Sequence, residues 1–140
     1  MPRIIAIDYG QKRVGIAETD DLQIIASGLT TLHITEVIPF LEKYILKYNV
    51  ECVVIGEAKD LQNNPAESAR FIEPFVKHFS KKFPAIKIER IDERFTSKMA
   101  FQTMIDAGLN KKTRQNKALV DQISATLILQ SYLEQKQFLK

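Results

Sequence analysis

The sequence predicts an α/β fold with a mixed five-stranded sheet and helices on both of its faces. Apolar runs at residues 4–7 and 52–55 are continuous, which is typical of strands buried on both faces. The segments that join the first three predicted strands are shorter than the roughly twelve residues of a parallel crossover, so these strands pair as antiparallel hairpins. Helices and strands then alternate along the rest of the chain, which adds two parallel strands to the same sheet.

The first three strands are predicted at residues 3–9, 13–19 and 22–33, and the third is broken near Ser27 and Gly28. A doubly wound, flavodoxin-like sheet is the alternative arrangement, and it requires a helix directly after the first strand. The turn between Gly10 and Gly15 is too short to contain that helix. The sequence therefore favours the mixed sheet, whose strand order is that of the ribonuclease H-like fold.

The middle of the chain predicts two helices and the fourth strand. Apolar residues recur at helical spacing over Glu36–Tyr48, with Thr35 placed as the N-terminal cap. The fourth strand follows at residues 52–56. After a polar loop, a second helix is predicted at residues 66–83, and Pro74 should kink it or mark its boundary.

The last third of the chain predicts one more strand and two helices. The fifth strand is predicted from Ile86, Ile88 and Ile91, and it ends at Asp92-Glu93-Arg94. A short helix at residues 97–107 ends at Gly108, a residue type that commonly terminates helices. A basic loop then leads to a long final helix at residues 114–135.

Length and composition predict one domain over residues 1–140, which we expect in the cytoplasm. Hydrophobic residues make up 45% of the chain and charged residues 26%, as in folded globular proteins. No apolar run approaches the roughly 18 residues of a membrane span, and the first strand begins too early to leave room for a signal peptide. The single cysteine, Cys52, lies inside the fourth strand, and neither His33 nor His78 stands in a nucleophile motif. Cysteine catalysis and a zinc site are therefore disfavoured.

Acidic residues stand where the predicted sheet would bring them together. Asp8 lies at the end of the first strand, Asp92 and Glu93 follow the fifth, and Asp121 lies on the final helix beside small residues. A carboxylate on a packing face is costly to desolvate unless it is paired or binds a cation, and clustered carboxylates suit Mg²⁺. Two structural explanations stay open: Asp121 can cap or favourably charge the first turn of its helix, and Glu93 can pair with Arg94 or with a surface lysine. Spacing alone does not separate Asp92 from Glu93.

Cations near these acids predict contacts with nucleic-acid phosphates. The net charge of +3 permits such binding without requiring it. Lys12 and Arg13 stand at the bend after the first strand, and an acid-free segment near the C-terminus carries four more cations. Those four are Lys111, Lys112, Arg114 and Lys117. Affinity held by such residues would depend on salt and would carry no base specificity.

Three strings of the sequence resemble the YqgF (RuvX) family. They are DYGQKRVGIA at Asp8–Ala17, DERFTS at Asp92–Ser97 and VDQISA at Val120–Ala125, in the family's order. The segment Val53–Gly56 also fits the family's fourth strand, so the resemblance covers essentially the whole chain. It implies a ribonuclease H-like domain related to Holliday junction resolvases, with a nuclease activity at the 5′ end of bacterial pre-16S ribosomal RNA.

The resemblance also implies a catalytic set of acidic residues that binds Mg²⁺ or Mn²⁺. Carried over onto this chain, the set consists of Asp8, Glu93 and Asp121, with Asp92 as the alternative middle acid. A metal-activated water would then attack the phosphorus of the substrate.

One segment departs from the family's pattern. After the fourth strand the family has Gly-Leu-Pro, whereas this chain has Gly56-Glu57-Ala58. Related resolvases keep their second acid at this place, which makes Glu57 a further candidate metal ligand. The structural explanation, a solvated Glu57 paired with Lys59, stays open beside it.

We therefore expect a metal-dependent phosphodiester hydrolase that acts on precursor rRNA in ribosome biogenesis, as a monomer or a homodimer. A Holliday junction resolvase acting on branched DNA is the alternative, and it would require two active sites and hence a symmetric dimer. Nucleotide binding of the actin-like kind is a further alternative. It is disfavoured because two such domains are needed to enclose the nucleotide and 140 residues supply one. A non-catalytic module that binds ribosomal precursors is a remote alternative, because it would not need all three acids.

Overall fold

The computed structural model describes the chain at residues 2–9, 12–20, 22–23, 25–57, 69–92 and 117–138. The strands are β1 (Arg3–Tyr9), β2 (Arg13–Thr19), β3 (Ala26–His33), β4 (Val50–Glu57) and β5 (Lys87–Asp92). The helices are α1 (Val37–Lys47), α2 (Ala69–Lys82) and α3 (Lys117–Phe138), and a single 3₁₀ turn, Ile34–Glu36, precedes α1. No helix in the described part of the chain is long and apolar enough to cross a membrane.

The strands form one sheet in the order β3-β2-β1-β4-β5. β1 pairs antiparallel with β2, and β2 pairs antiparallel with β3. β4 lies parallel to β1 on the other side, and β5 lies parallel to β4. The prediction of a mixed five-stranded sheet is therefore confirmed, and the carboxyl ends of β1, β4 and β5 lie along one edge of it.

β1 is buried on both faces because alternate residues enter two separate cores. Ile5 and Ile7 pack in a cluster with apolar residues of α1 and α2. Ile4 and Ala6 pack in the other cluster with Ala125 and neighbouring residues of α3. The sheet thus lies between α1 and α2 on one face and α3 on the other, which explains the continuous apolar run of the sequence.

The third strand begins later than predicted, at Ala26 instead of residue 22. Residues 22 and 23 lie in a turn: the Ile25 N–H donates to the Asp20 side chain at 2.9 Å, and Gln23 has a positive φ of 59°. The predicted break near Ser27 and Gly28 is a register shift, because Ala17 pairs with Gly28 whereas Ile16 pairs with Thr30. The strand continues through this irregularity, as bulged edge strands do.

The start of the first helix also differs from the prediction. His33, and not Thr35, supplies the cap: its Nδ1 accepts the Thr35 backbone N–H at 3.2 Å. That bond caps the 3₁₀ turn, and α1 begins only at Val37, without a side-chain cap of its own. An imidazole acceptor escaped prediction because capping is expected of Ser, Thr, Asp and Asn.

The second helix runs from Ala69 to Lys82 with Pro74 inside it, so the proline does not mark a boundary. The final helix extends to Phe138, three residues beyond its predicted end. The predicted loop at residues 59–65, the helix at 97–107 and its stop at Gly108 lie outside the described residues.

Candidate active site

Asp8 lies one residue before the end of β1, on the face of the sheet that α3 covers. Its position follows from strand alternation, because Ile4 and Ala6, four and two residues earlier, pack against α3. In the antiparallel pairing of β1 with β2, Asp8 lies directly opposite Gly15. Opposed residues of such a pair share a face of the sheet, so whatever covers Gly15 lies close to Asp8.

Gly15 is covered by the backbone of α3 at Asp121. A Cβ atom added to Gly15 would lie 2.1 Å from the Asp121 carbonyl oxygen and 2.5 Å from its carbonyl carbon. Only a residue without a side chain permits so close an approach of helix and strand. The structure therefore places Asp121 over the β1–β2 pair next to Asp8, which brings together two of the three acids predicted to act together.

Arg13 binds the Asp121 side chain from the same strand that carries Gly15. Its Nε donates to Asp121 Oδ2 at 3.0 Å, and the two side chains are 43% and 23% exposed. An ion pair this exposed contributes only about 0.2–1 kcal/mol to stability. The bond engages one of the two carboxylate oxygens of Asp121.

The packing of α3 agrees with its predicted stripe of small residues. Ser124, Ala125 and Ile128 are all buried against the sheet. The first turn of α3 contains no acidic residue, since the helix begins at Lys117. Asp121 therefore does not serve to charge the start of its helix, which removes one of the structural explanations.

The remaining candidate ligands are only partly within the described structure. Glu57 and Asp92 end β4 and β5 and pair with each other in register, at the same edge of the sheet as Asp8. Their side chains lie outside the described part, and Glu93 lies outside it entirely.

Of the predicted phosphate-binding cations, Lys12 and Arg13 are described, and both are exposed. Lys117 is the first residue of α3, and its side chain is outside the described part. The other three, Lys111, Lys112 and Arg114, lie outside the described residues.

The donor set is suitable for a hard divalent cation. Asp8 and Asp121 supply carboxylate oxygens, the ligand type that Mg²⁺ and Mn²⁺ prefer. One turn beyond Asp121, the buried Ser124 hydroxyl makes no hydrogen bond to any described residue, so a further polar atom lies on that face of α3. Within the described ranges, no group of three or more His, Cys, Asp or Glu residues is arranged to hold a metal.

Cys52 takes no part in this site. It is buried in the α3-side core, and its Sγ lies 3.9 Å from the Tyr132 hydroxyl. Burial raises the pKa of the thiol, which makes a thiolate nucleophile or metal ligand unfavourable. This confirms the prediction of a core cysteine.

Two functional features were missed by sequence reasoning, namely the contact of Gly15 with α3 and the bond of Arg13 to Asp121. A glycine inside a strand is a signal for close backbone approach, and it could have indicated the first. The second joins residues 108 positions apart and has no local signal.

A family model described as "RuvX: Holliday junction resolvase" matches residues 2–135 of the chain. A Flavobacterium johnsoniae protein named "Putative pre-16S rRNA nuclease" is 62% identical over 138 residues, which cover 99% of this chain and 100% of that protein. A Bacteroides thetaiotaomicron protein of the same name is 55% identical over 138 residues, with the same coverage of both.

Solved structures share the fold at much lower identity. T. thermophilus RuvC in complex with a Holliday junction substrate is similar with a TM-score of 0.56 and 13% identity, covering 97% of this chain and 96% of that one. The fowlpox virus Holliday junction resolvase gives a TM-score of 0.52 at 16% identity, covering 95% and 98%. These matches confirm the predicted ribonuclease H-like fold.

Proposed function

Because this chain belongs to the RuvX family, we propose that it is a metal-dependent nuclease that processes the 5′ end of pre-16S ribosomal RNA. Relatives more than half identical over nearly the whole chain are named for pre-16S rRNA. The observation that carries the proposal is the juxtaposition of Asp8 and Asp121, which the close contact at Gly15 produces. It brings carboxylates from opposite ends of the chain to one edge of the sheet.

Asp8, Asp121 and Glu93 would hold Mg²⁺ or Mn²⁺ in this proposal. When bound, such an ion makes water acidic enough to act as a nucleophile at neutral pH and offsets negative charge on the phosphate. Asp8 is fixed by a strand and Asp121 by a helix packed against that strand, so neither carboxylate relies on a loop for its position. Preorganised ligands of this kind reduce the rearrangement needed when substrate arrives.

Glu93 is proposed over Asp92 for the middle acid because of the pattern of β5. Ile91 packs in the core on the α3 side. Successive positions of a strand alternate between its two faces, so the position of Asp92, next to Ile91 in β5, belongs to the face away from α3. The same alternation disfavours Glu57 as a fourth ligand, because Glu57 holds the register position opposite Asp92.

Lys12 and the cations Lys111, Lys112, Arg114 and Lys117 would hold phosphates on either side of the cleaved bond. Lys12 is exposed one residue before β2, close along the chain to Asp8. Phosphate contacts give affinity that falls steeply with salt and do not distinguish sequences. Selection of the cleavage position would then depend on the shape of the RNA.

The proposal is tested by incubating the purified chain with a 16S precursor RNA and with a four-way DNA junction, at equal salt and with Mn²⁺. We expect cleavage of the RNA, loss of cleavage with EDTA, and loss of cleavage without loss of RNA binding in Asp8→Asn. Glu134→Gln is a matched control, because Glu134 is exposed on the same helix about 20 Å beyond Asp121. It should cleave like the wild type.

Two results would contradict the proposal. Cleavage that survives in Asp8→Asn would remove Asp8 from the site. Faster cleavage of the DNA junction than of the RNA would favour junction resolution, the alternative that the family's description supports.

A further inference from the structure

The neighbouring cations Lys12 and Arg13 occupy different environments, although the sequence assigns both to phosphate binding. The Lys12 side chain is exposed and makes no hydrogen bond or ion pair to any described residue. The Arg13 guanidinium instead donates its Nε–H to Asp121 Oδ2 at 3.0 Å. The two residues therefore require separate explanations.

The position of Arg13 is set by the strand that carries Gly15. Arg13 and Gly15 are two residues apart in β2 and share the face that α3 covers. Gly15 fixes the backbone of Asp121, and Arg13 reaches its side chain from the same strand. Among the described residues, Arg13 is the only partner of the Asp121 carboxylate, and it bonds to one of the two oxygens.

We propose that Arg13 is a positioning residue, which holds Asp121 by Oδ2 so that Oδ1 is directed to the metal beside Asp8. This inference rests on the proposed metal-dependent function. Carboxylates that ligate metals are commonly oriented by such a hydrogen bond to the oxygen that does not bind the ion. A guanidinium is suited to this role because it stays charged and donates in a fixed plane, whereas an ammonium supplies charge without that direction.

A positive charge this close to Asp121 could also act in the opposite way, by competing with the metal. A residue that only contacts phosphate would have no effect on metal binding at all. The three roles predict different changes in metal affinity when Arg13 is removed. A positioning role predicts weaker metal binding, competition with the metal predicts tighter binding, and a phosphate contact predicts no change.

The first experiment measures Mn²⁺ binding to the full chain by isothermal titration calorimetry without RNA. We expect Arg13→Gln to weaken Mn²⁺ binding about 10- to 100-fold, the usual effect of removing a partner of a metal ligand. Arg13→Lys should recover part of this loss. In an Asp121→Asn background, Arg13→Gln should have little further effect, because the residue acts through Asp121.

The second experiment measures RNA binding by fluorescence anisotropy in EDTA over a range of salt concentrations. Lys12→Gln should lower the slope of log affinity against log salt by about 1, as expected for one lost phosphate contact. Arg13→Gln should bind RNA within about twofold of the wild type and retain its salt slope. Thermal unfolding of each variant checks that the fold is intact, and Arg13→Lys serves if Arg13→Gln does not fold.

Unchanged or tighter Mn²⁺ binding by Arg13→Gln would overturn the inference, as would a salt slope reduced like that of Lys12→Gln. If the wild type itself binds no Mn²⁺, both the inference and the proposed metal chemistry fail. If the wild type binds Mn²⁺ with the expected Arg13 effect but cleaves no RNA, the positioning role stands and only the proposed substrate is wrong.

Discussion

Replacement of Gly15 by alanine should disturb the candidate site more than its small size suggests. The added Cβ would lie 2.1 Å from the carbonyl oxygen of Asp121, whereas ordinary contact begins at 3.4 Å. The obstacle is a backbone atom in a helix, so it cannot rotate away as a side chain could. β2 and α3 must therefore separate locally by about 1.3 Å, the difference between these two distances.

This separation has two measurable effects. Overpacking of a well-packed core costs about 1–3 kcal/mol. For a domain of this size, that lowers the melting temperature by roughly 3–12 °C. Displacement of a catalytic group by about 1 Å can reduce the rate about 100-fold, and Asp121 moves with the helix. We therefore expect Gly15→Ala to lose at least that much RNA cleavage and to bind Mn²⁺ more weakly.

Gly28→Ala is the matched control for this experiment, because Gly28 also faces α3. A Cβ at Gly28 would lie 3.4 Å from side-chain atoms of Gln122 and Thr126, which is ordinary contact with groups that can move. The melting temperature of the Gly28→Ala variant should stay near that of the wild type or rise slightly, because alanine has less conformational freedom than glycine in the unfolded chain. If Gly15→Ala melts and cleaves like Gly28→Ala, the close approach of α3 to β2 is wrong, and with it the argument for the site.

Three further predictions concern groups away from the candidate site. Tyr44→Phe removes the hydroxyl that donates to Glu18 at 2.6 Å, and it should destabilise the protein by about 1–3 kcal/mol in urea unfolding. Burial raises the pKa of Tyr44 and of Tyr132 above their usual value of 10. Above about pH 10 both tyrosines stay protonated in the folded protein, whereas tyrosines of the unfolded chain ionise. The free energy of unfolding should therefore be unaffected by these groups below about pH 10 and fall above it. Phenylalanine at both positions should make this decline less steep. The Cys52 thiol should resist alkylation at pH 8 in the native protein and react rapidly in denaturant, because burial both covers it and raises its pKa.

The fold was predictable where burial leaves a pattern in the sequence. β1 has apolar side chains toward two cores, and this produces a continuous apolar run that a half-exposed strand would not show. The start of β3 was predicted too early because apolar residues 22 and 25 belong to a turn that Asp20 closes. That turn depends on a hydrogen bond from a side chain, and composition alone does not reveal it.

The candidate site was predictable residue by residue but not as an arrangement. Asp8 and Asp121 were identified by their places at a strand end and on a helix face, and by the family resemblance. The sequence assigns Arg13, with Lys12, to phosphate binding because the two cations stand at the bend after the first strand, beside Asp8. Its partner lies 108 positions away and reaches it only when α3 packs on β2, so the bond is a property of the tertiary structure.

Gly15 and Arg13 together explain how a packing contact becomes part of a site. One fixes the backbone of Asp121 and the other its carboxylate, so their substitution should separate two kinds of damage. Gly15→Ala moves the helix and must lower stability along with Mn²⁺ affinity. Arg13→Gln leaves the helix in place, and because its ion pair is exposed it should lower Mn²⁺ affinity with little change in melting temperature. If Arg13→Gln lowers the melting temperature and the Mn²⁺ affinity in the same ratio as Gly15→Ala does, Arg13 only supports the fold. We expect instead that Arg13→Gln lowers the Mn²⁺ affinity with little loss of stability, which is the result expected of a residue that orients the Asp121 carboxylate.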